Sequence, residues 1–377
     1  MKIIIDKDIP FIRGLFEPCA ETLYLPCAEI VSKNVKDADA LIIRTRTQCN
    51  RELLADSKVS FIASATIGYD HIDVELCREK GIAWNNAPGC NARAVSQYVI
   101  SALLHIAETR SHNLKEKFLG IVGAGAVGSQ VELAAQALGM SVILNDPPLE
   151  QNNRSGKYTN LDTLLKNADY VSLHVPLTSS GAYPTRHLAG FDFFDKLKSG
   201  AIFINSSRGE IVDESALKYA LKSKRTDGAV LDVWQGEPSI DQELVKLVDL
   251  ATFHIAGYSV QGKMNAAAMA ANSVIEHFNL PLKSLETTSL QASEHREINI
   301  NARNNSLQNI ITSAMLATYE IERDSALLKN SPSAFEQLRN TYNYRHEPAS
   351  YSLKLNGCND DSLIESLKKL GFILNAN

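Results

Sequence analysis

Short apolar runs alternate with longer polar stretches through the first ninety residues. The runs occupy residues 2–5, 40–43, 61–64 and 82–84, and the polar stretches between them are compatible with helices. Short continuous apolar runs bounded by turn residues are typical of parallel strands that are buried on both faces. The pattern therefore predicts a small α/β domain with a parallel sheet over residues 1–91.

The same alternation returns in the middle of the chain and predicts a second, larger α/β domain over residues 92–258. It begins with an apolar-periodic helix over 92–108, directly after the turn-rich segment 86–91. We place the boundary between the two domains at this turn. The other predicted segments are helices over 161–166 and 214–221, strands over 119–122, 170–173, 201–205 and 229–232, and a polar loop over 147–156.

A glycine-rich turn follows the predicted strand over 119–122. Its residues are Gly123, Ala124, Gly125, Ala126, Val127 and Gly128. If a dinucleotide binds here, Gly123 makes the tight turn, Gly125 lets the backbone approach the pyrophosphate, and Gly128 lets the helix pack on the strand. The helix that begins at this turn presents its free N–H groups and positive dipole end to the phosphates. The alternative is a glycine turn with a purely structural role.

Asp146 ends the next apolar run, about 20 residues beyond Gly125. A carboxylate at this position accepts hydrogen bonds from the ribose hydroxyls of the adenosine half of the cofactor. The same carboxylate would repel a 2′-phosphate. The sequence therefore predicts NAD rather than NADP as the cofactor.

Three polar residues of complementary chemistry follow strands or turns of the second domain: Arg208, Glu237 and His254. Together they suit the oxidation of an alcohol next to a carboxylate. Arg208 would bind the carboxylate and the developing carbonyl oxygen, and His254 would take the hydroxyl proton. Glu237 would orient the imidazole and stabilise its charged form. Taken singly, each residue also has a structural explanation, as an exposed arginine, a turn-capping glutamate or a core histidine.

Polar residues also follow two strands of the first domain, at the edge where open parallel sheets bind ligands. Arg44, Thr45 and Arg46 follow the second apolar run, and Thr66 follows the third. Arginines beside hydroxyl groups suit a phosphate or carboxylate, because guanidinium groups donate paired hydrogen bonds to such oxygens. The alternative is a solvated loop whose arginines pair with surface acids.

The last ninety residues lose the regular alternation of apolar runs and polar stretches. Residues 283–304 are polar and predict a linker or an extended arm. Helical periodicity over 307–321, 335–339 and 363–370, with strand-like patterns over 350–355 and 372–374, predicts a small α+β domain over residues 284–377. Such a domain has a limited core and is often completed by pairing with a second chain.

The overall composition is that of an ordinary globular protein. Of the 377 residues, 45% are hydrophobic and 21% are charged, and the net charge of −5 gives no general attraction for nucleic acid or acidic membranes. The six cysteines form no C-x-x-C pair, which argues against a zinc site or a disulfide framework. We therefore expect no metal ion. We also expect a cytoplasmic protein, because neither a signal-peptide pattern nor a membrane-spanning run is apparent.

Four motifs occur in order along residues 1–282. They are the glycine turn with Asp146, the stretch 207–213, the stretch 231–238 and the stretch 254–257. Their order and approximate spacing resemble those of the D-isomer-specific 2-hydroxyacid dehydrogenases. The resemblance implies two Rossmann-like, doubly wound parallel-sheet domains, NAD as the cofactor, and the roles given above for Arg208, Glu237 and His254. It also implies that residues 259–283 return to complete the first, substrate-binding domain.

The resemblance implies further contacts with substrate and cofactor. The substrate contacts are Thr45, Thr66 and Tyr258, and the cofactor contacts are Asp146, Val175, Ser206, Ser207, Asp232 and Gly257. One departure is Phe253, where relatives usually carry proline. This change is expected to loosen the local backbone without removing the role of His254.

Finer features resemble one branch of this family. They are Asp6, Ile9 with Pro10, Arg44 followed by a hydroxyl residue, the stretches 87–92, 184–188 and 255–259, and a C-terminal extension with Phe335, Leu338, Arg339, Tyr342 and Arg345. The branch implies oxidation of a small phosphorylated 2-hydroxy acid in vitamin B6 biosynthesis and a homodimer formed through residues 284–377. Arg345 and His346 are candidates to reach the partner's substrate phosphate, with plain surface charge as the alternative.

Two other functions stay open at this point. One is 3-phosphoglycerate dehydrogenase, or another D-2-hydroxyacid dehydrogenase, which would share the three catalytic residues and differ in the pocket and tail. The other is an NAD(H)-sensing regulatory protein that keeps the scaffold. The presence of Arg208, Glu237 and His254 counts against the sensor, because a sensor would not need all three.

Overall fold

The structure, a computed structural model, describes residues 1–152, 156–286, 296–303, 305–357 and 360–375. The chain divides into two compact units. The first contains residues 1–91 and 259–293, and the second contains residues 92–258 and 294–377. Within the described ranges, no helix is both long and apolar enough to cross a membrane.

Strands and helices alternate along most of the described chain. The strands are β1 (Lys2–Asp6), β2 (Glu21–Leu25), β3 (Ala40–Ile43), β4 (Phe61–Ser64), β5 (Ala83–Asn85), β6 (Phe118–Val122), β7 (Ser141–Asn145), β8 (Tyr170–Leu173), β9 (Ile202–Asn205), β10 (Gly228–Leu231), β11 (Leu250–Ala251), β12 (Arg296–Asn301), β13 (Tyr351–Asn356) and β14 (Ile373–Leu374). The helices are α1 (Ser32–Val35), α2 (Arg51–Leu54), α3 (Val74–Lys80), α4 (Ala92–Thr109), α5 (Ala126–Ala137), α6 (Pro147–Asn152), α7 (Leu161–Asn167), α8 (Phe191–Lys196), α9 (Glu214–Lys222), α10 (Gln242–Leu247), α11 (Val260–His277), α12 (Leu307–Thr318), α13 (Ile321–Asn330), α14 (Phe335–Asn340) and α15 (Asp361–Lys369).

The first unit is built on a parallel sheet with strand order β2-β1-β3-β4-β5. Successive side chains of β1 lie on opposite faces of the sheet. Ile3 and Ile5 pack with α11 on one face, and Ile4 packs in the hydrophobic core on the other face. Burial on both faces explains the continuous apolar runs in the sequence. The strand order reverses between β1 and β3, and this point of the sheet edge is where open α/β sheets bind ligands.

The second unit contains a six-stranded parallel sheet with order β11-β10-β9-β8-β6-β7. Here the order reverses between β6 and β8, and the glycine turn follows β6 at this position. The ends of β9, β10 and β11 lie side by side further along the same edge. The two parallel sheets confirm the predicted α/β fold class with Rossmann-like domains.

The C-terminal part of the second unit is a small α+β arrangement around the parallel sheet β12-β13-β14. It shares a hydrophobic core with α4 and α5, to which Ile311, Met315 and Tyr319 contribute. The ring of Tyr319 lies 6.2 Å from that of Tyr98 on α4, measured between ring centres. These residues therefore pack directly on helices of the second unit's six-stranded sheet. Their assignment to a separate dimerisation domain stays a prediction.

Three segment predictions were wrong in part. Of the predicted linker or extended arm over 283–304, residues 296–301 are extended but form strand β12 of a sheet, because the sequence shows little of the burial of its single buried residue, Ile300. Residues 287–295 and 304 lie outside the described residues. The predicted helix over 307–321 is two helices, α12 and α13, separated at Tyr319 and Glu320. The predicted loop over 147–156 begins with helix α6, and its residues 153–155 lie outside the described ranges.

Candidate active site

His254 and Glu237 form a hydrogen-bonded pair at the edge of the second unit's sheet. The Nδ1 atom of His254 lies 2.7 Å from Oε2 of Glu237. The other carboxylate oxygen of Glu237 accepts a hydrogen bond from the Trp234 N–H at 3.0 Å. The two side chains come from the turns that follow β11 and β10, which are neighbours in the sheet. This geometry leaves Nε2 as the imidazole nitrogen available to exchange a proton with a ligand.

The environment of Glu237 keeps its carboxylate charged. Burial raises the pKa of Glu237, because a charged group is poorly solvated in the protein interior. The charge and hydrogen bond of His254, the Trp234 N–H and the charge of Arg339 outweigh burial and hold this pKa below its ordinary value. An ionised carboxylate beside an imidazole fixes the tautomer of the ring and stabilises a proton on it.

The loop that carries His254 is shaped by Asp232. The buried Asp232 carboxylate accepts hydrogen bonds from the Thr252 hydroxyl at 2.7 Å and from the N–H groups of Ile255 and Ala256, each at 2.8 Å. His254 itself has φ of 61°, a left-handed conformation that is uncommon for residues other than glycine. Such strained positions are concentrated at functional sites and persist where the surroundings enforce them. Asp232 therefore shapes the loop with its side chain, whereas we predicted it only as a cofactor contact.

Phe253, the residue expected to loosen this loop, is fully buried. Its ring packs edge-on against Tyr342, with 5.9 Å between the ring centres. Tyr342 belongs to the C-terminal part of the chain. The backbone before His254 is thus held by packing, and the expected loosening at Phe253 is not found.

Arg208 follows β9, in a turn that is organised by the buried Asn205. The Asn205 side chain accepts a hydrogen bond from Ser207 N–H at 3.0 Å and donates one to the Arg208 carbonyl at 2.9 Å. The guanidinium Nη1 of Arg208 donates to the Ser207 carbonyl at 2.7 Å. Arg208, Glu237 and His254 therefore follow three adjacent strands, and their catalytic roles stay predictions.

The glycine turn has the shape that a dinucleotide requires. A Cβ atom on Gly128 would lie 2.0 Å from the Gly123 carbonyl oxygen, so any side chain there would push the helix away from the turn. A Cβ on Gly125 would meet no atom within 4 Å among the described residues, which leaves open space beside the start of α5. A Cβ on Gly123 would lie 2.8 Å from Val175, which places the predicted cofactor contact Val175 beside the turn.

Asp146 braces this turn from the end of β7. Its Oδ2 accepts a hydrogen bond from the Ala124 N–H at 2.8 Å, and its Oδ1 accepts one from the Leu149 N–H at 3.0 Å at the start of α6. The sequence predicted a contact with ribose and gave no indication of this bracing. Both roles are compatible, because each carboxylate oxygen can accept more than one hydrogen bond.

Two further observations fit a bound NAD. Among the described residues, no side chain caps the first turn of α5, where Ala126 and Val127 lie, so the N–H groups there can face phosphate oxygens. The Ser206 hydroxyl is buried and makes no hydrogen bond within the part of the chain that the structure describes. Buried polar atoms normally have partners, and a ligand would supply one. The neighbouring Ser207 hydroxyl is committed to the Leu173 carbonyl.

The predicted substrate contacts Arg44, Thr45 and Thr66 lie in the first unit. Arg44 forms a two-point ion pair with the buried Asp6, at 2.8 and 3.0 Å, and bonds Asp8 at 2.7 Å. Pairing with acids was the alternative interpretation of this arginine. Thr45 is exposed, and the Thr66 hydroxyl donates to the Gly68 carbonyl at 3.0 Å. Their contact with substrate stays a prediction.

The burial of Arg345 conflicts both with the hypothesis that it reaches a partner's phosphate and with the alternative of plain surface charge. Its side chain is buried, and its guanidinium donates to the carbonyl oxygens of Ala94, Ile255, Ala256 and Tyr258. An arginine with this set of acceptors in its own chain cannot also reach a partner's phosphate. His346 follows it, and its carbonyl accepts a hydrogen bond from Gln97 at 3.0 Å.

Sequence reasoning also missed the surroundings of Tyr258, the last residue before the chain returns to the first unit. The Tyr258 hydroxyl accepts a hydrogen bond from Nε of Arg339 at 3.2 Å. The two residues are 81 positions apart in the sequence. No local pattern in the sequence indicates such a contact.

Comparisons with known proteins identify the family. Residues 94–256 match the family model described as D-isomer specific 2-hydroxyacid dehydrogenase, NAD binding domain, and residues 289–371 match a domain of unknown function, DUF3410. Erythronate-4-phosphate dehydrogenase of Bacteroides fragilis is 44% identical over 94% of this chain and 99% of its own length. The protein of the same name from Cronobacter sakazakii is 38% identical over 99% of this chain and 98% of its own. The chain belongs to the erythronate-4-phosphate dehydrogenase family.

Solved structures agree with this membership. The NAD⁺-bound 3-phosphoglycerate dehydrogenase of Entamoeba histolytica matches with a TM-score of 0.63 and 27% identity, over 76% of this chain and 99% of that one. The D-lactate dehydrogenase of Aquifex aeolicus matches with a TM-score of 0.61 over 74% of this chain and 96% of that one, and at 23% identity it supports the fold alone. As a member of the erythronate-4-phosphate dehydrogenase family, this chain is an NAD-dependent dehydrogenase of the 2-hydroxyacid class. The predicted family, enzyme class and cofactor are thereby confirmed.

Proposed function

We propose that this chain oxidises 4-phospho-D-erythronate at C2 and releases 2-oxo-3-hydroxy-4-phosphobutanoate, as a step of pyridoxal 5′-phosphate biosynthesis. The observation that carries the proposal is the His254–Glu237 pair at 2.7 Å, at the sheet edge next to the turn that carries Arg208. The full-length similarity to proteins named erythronate-4-phosphate dehydrogenase supports the choice of substrate.

Each of the three residues has a distinct role in this proposal. Arg208 binds the carboxylate of the 2-hydroxy acid and stabilises charge on the oxygen at C2 as it becomes a carbonyl oxygen. His254 accepts the hydroxyl proton at Nε2, which the Glu237 bond to Nδ1 leaves unprotonated. Glu237 stays ionised and balances the charge of the protonated imidazole. NAD, when bound, supplies the acceptor for the hydride that leaves C2.

The remaining predicted contacts complete the proposal. For the substrate they are Arg44, Thr45, Thr66 and Tyr258, and for the cofactor they are Gly123, Gly125, Ala126, Val127, Gly128, Asp146, Val175, Ser206, Ser207, Asp232 and Gly257. Hydroxyl groups and an arginine suit the phosphate at C4 of the substrate. The carboxylate of Asp146 disfavours the 2′-phosphate of NADP.

We also propose that the protein is a cytoplasmic homodimer that pairs through residues 284–377. The sheet β12-β13-β14 is small, and β12 is an edge strand with mostly exposed residues. Exposed edges of this kind are templates for pairing with another chain. Light scattering on the full chain during size-exclusion chromatography tests this part. A mass of twice the chain mass is expected, and a mass equal to that of one chain at micromolar concentration would exclude the homodimer.

The reaction itself is tested by following NADH formation by absorbance. The substrates are 4-phospho-D-erythronate, 3-phospho-D-glycerate and D-lactate, each with wild type, His254→Asn and the matched control His105→Asn on α4. A parallel reaction contains a 2-oxo acid that reoxidises bound NADH and is followed by formation of the oxidised substrate instead of absorbance, so that slow cofactor release is not mistaken for inactivity. We expect turnover of 4-phospho-D-erythronate that falls by about 10²–10⁴ in His254→Asn and stays in His105→Asn.

Other outcomes would point elsewhere. Preference for 3-phospho-D-glycerate would keep the mechanism and replace the substrate. Turnover of none of the three, with NAD binding intact, would contradict the proposal and favour an NAD(H)-sensing protein.

A further inference from the structure

Arg339 connects the C-terminal part of the second unit to the two turns that carry the candidate catalytic pair. It lies on α14, and 16% of its side chain is exposed. Its Nε donates to the Tyr258 hydroxyl at 3.2 Å, and its Nη1 lies 3.9 Å from Oε2 of Glu237. One largely buried cation therefore contacts both Tyr258, a proposed substrate contact, and the carboxylate that holds the proposed base.

The position of Arg339 is fixed by the packing of α14. Phe335, at the start of this helix, is fully buried in the same core as Leu328 and Phe253. Leu338 packs against that core, and Tyr342 closes over the rings of Phe253 and Tyr258. A short helix anchored at both ends gives the guanidinium little freedom to move away from Glu237.

The electrostatic consequence follows from the charges of the pair. Before it takes up a proton, the His254–Glu237 pair carries one negative charge, and afterwards it is neutral. A guanidinium is always protonated, and it stabilises the negative state of a neighbouring group. The oxygen nearest to Arg339 is Oε2 of Glu237, the atom that bonds His254. Arg339 therefore opposes proton uptake by the pair and keeps it able to accept the substrate proton at lower pH.

We propose that Arg339 is a positioning residue of the active site, which orients Glu237 against His254 and holds the Tyr258 hydroxyl toward the substrate. The inference rests on the proposed function for the roles of His254 and Tyr258. It assigns to the C-terminal part of the chain a contribution to the chemistry of the same subunit. The role is separate from pairing between subunits.

Other ionisable groups lie on the elements that carry or adjoin the pair, and they stay unchanged in the test. On the elements packed around it they are Arg208, Glu214, Asp232, Tyr258, Tyr342 and Arg345. Arg339 forms an ion pair with Glu237, with 3.9 Å between Nη1 and Oε2. A change at Arg339 alone therefore tests its own charge.

The kinetic test compares wild type, Arg339→Gln, Arg339→Lys and the exposed control Arg323→Gln on α13, with kcat/KM measured as a function of pH. In Arg339→Gln we expect the acid limb to move to higher pH by about half to one unit and kcat to fall about 10-fold. In Arg339→Lys the positive charge remains, so we expect the acid limb at its wild-type pH. We expect KM above the wild-type value, because lysine lacks the planar guanidinium group that bonds the Tyr258 hydroxyl. Tyr258→Phe should raise KM and leave the acid limb in place.

A second measurement does not depend on turnover. Titration of His254 in the full chain, followed by NMR with ¹³C-labelled histidine and assigned with His254→Asn, should show a midpoint at higher pH in Arg339→Gln than in wild type. If wild type proves inactive on 4-phospho-D-erythronate but this midpoint moves, the proposed substrate is wrong and the position of Arg339 is supported. An unmoved midpoint in a folded Arg339→Gln protein, or an acid limb that Arg339→Lys fails to restore, would overturn the inference.

Discussion

Glu237 accepts the Trp234 N–H with one carboxylate oxygen and bonds His254 Nδ1 with the other, at 3.0 and 2.7 Å. Both oxygens are thus engaged, and the carboxylate cannot rotate without losing a hydrogen bond. A glutamine in this position can keep both contacts only if its NH2 group donates to Nδ1 of His254, which would hold the imidazole in the tautomer that carries its proton on Nε2. The substitution therefore removes the charge and also reverses the tautomer of His254.

We predict that Glu237→Gln lowers kcat/KM by about 10²–10³ and moves the acid limb of its pH profile to lower pH. The direction follows because a neutral amide no longer favours a proton on the pair. It is opposite to the direction expected for Arg339→Gln. Rates of NADH formation across the pH range measure it, with Glu243→Gln on α10 as the exposed control. An acid limb in the wild-type position would show that Glu237 acts only by orientation.

The glycine turn offers a matched pair of substitutions. Gly128→Ala would place a Cβ 2.0 Å from the Gly123 carbonyl, and we expect it to destabilise the fold by about 1–3 kcal/mol and to abolish NAD binding. Gly125→Ala meets no described atom within 4 Å, and its φ of −69° suits alanine. It should leave the Tm nearly unchanged while weakening NAD binding about 10-fold or more, because its methyl group occupies the space for the pyrophosphate.

Thermal unfolding and quenching of protein fluorescence by NADH give the two readouts for this pair. Equal losses of Tm in both variants would mean that Gly125 is a structural glycine. Unchanged NADH affinity in Gly125→Ala would mean that the pyrophosphate does not bind at this turn.

Arg345 tests how strongly the C-terminal segment supports the His254 loop. Its removal leaves the carbonyl groups of Ile255, Ala256 and Tyr258 without their buried donor. We expect Arg345→Met to lower the Tm by about 5–10 °C and to reduce kcat, because unsatisfied buried acceptors are costly and the loop is no longer held. Arg93→Met, an exposed arginine on α4, is the control. A Tm within 1 °C of wild type would contradict the anchoring role.

The parts of this molecule that were predictable from sequence have local causes. Strand β1 contains the continuous apolar run Ile3-Ile4-Ile5 because both faces of the parallel sheet are buried. The turn after β6 is recognisable from its glycines because its backbone lies so close to another backbone that a side chain would not fit. The sequence could predict that His254 and Glu237 lie close together, because the carboxyl ends of parallel strands lie at one edge of the sheet.

The parts that were missed depend on distant contacts or on weak burial. The edge strand β2 is half-exposed throughout, so it shows no continuous apolar run. No local pattern in the sequence shows that Arg339 lies beside Glu237, or that Arg345 is buried against the loop after His254. Arg44 was predicted to bind an anionic group of the substrate. In the structure its guanidinium forms an ion pair with Asp6, which lies 38 positions earlier in the chain.

Glu214, the first residue of α9, provides a pH-dependent test of stability. Its Oε1 accepts a hydrogen bond from the Gln235 N–H at 2.8 Å, in the turn that carries Glu237. Burial, with a smaller contribution from the nearby charge of Asp241, raises the pKa of Glu214 to about 6. In an unfolded chain the pKa of a glutamate is about 4.3. The raised value therefore stabilises the fold fully below about pH 4, and this contribution is lost as the pH rises through 6.

We predict that Glu214→Gln removes this dependence. The Tm of Glu214→Gln minus the Tm of wild type should increase by about 2–4 °C between pH 4 and pH 6.5. Above pH 6.5 this difference should stay constant. Calorimetric unfolding in a series of buffers measures it, with the exposed Glu150→Gln on α6 as the control. Because glutamine can still accept the Gln235 N–H, a parallel shift at all pH values would reflect packing alone. A difference that shrinks as the pH rises would mean that Glu214 is held in its charged form.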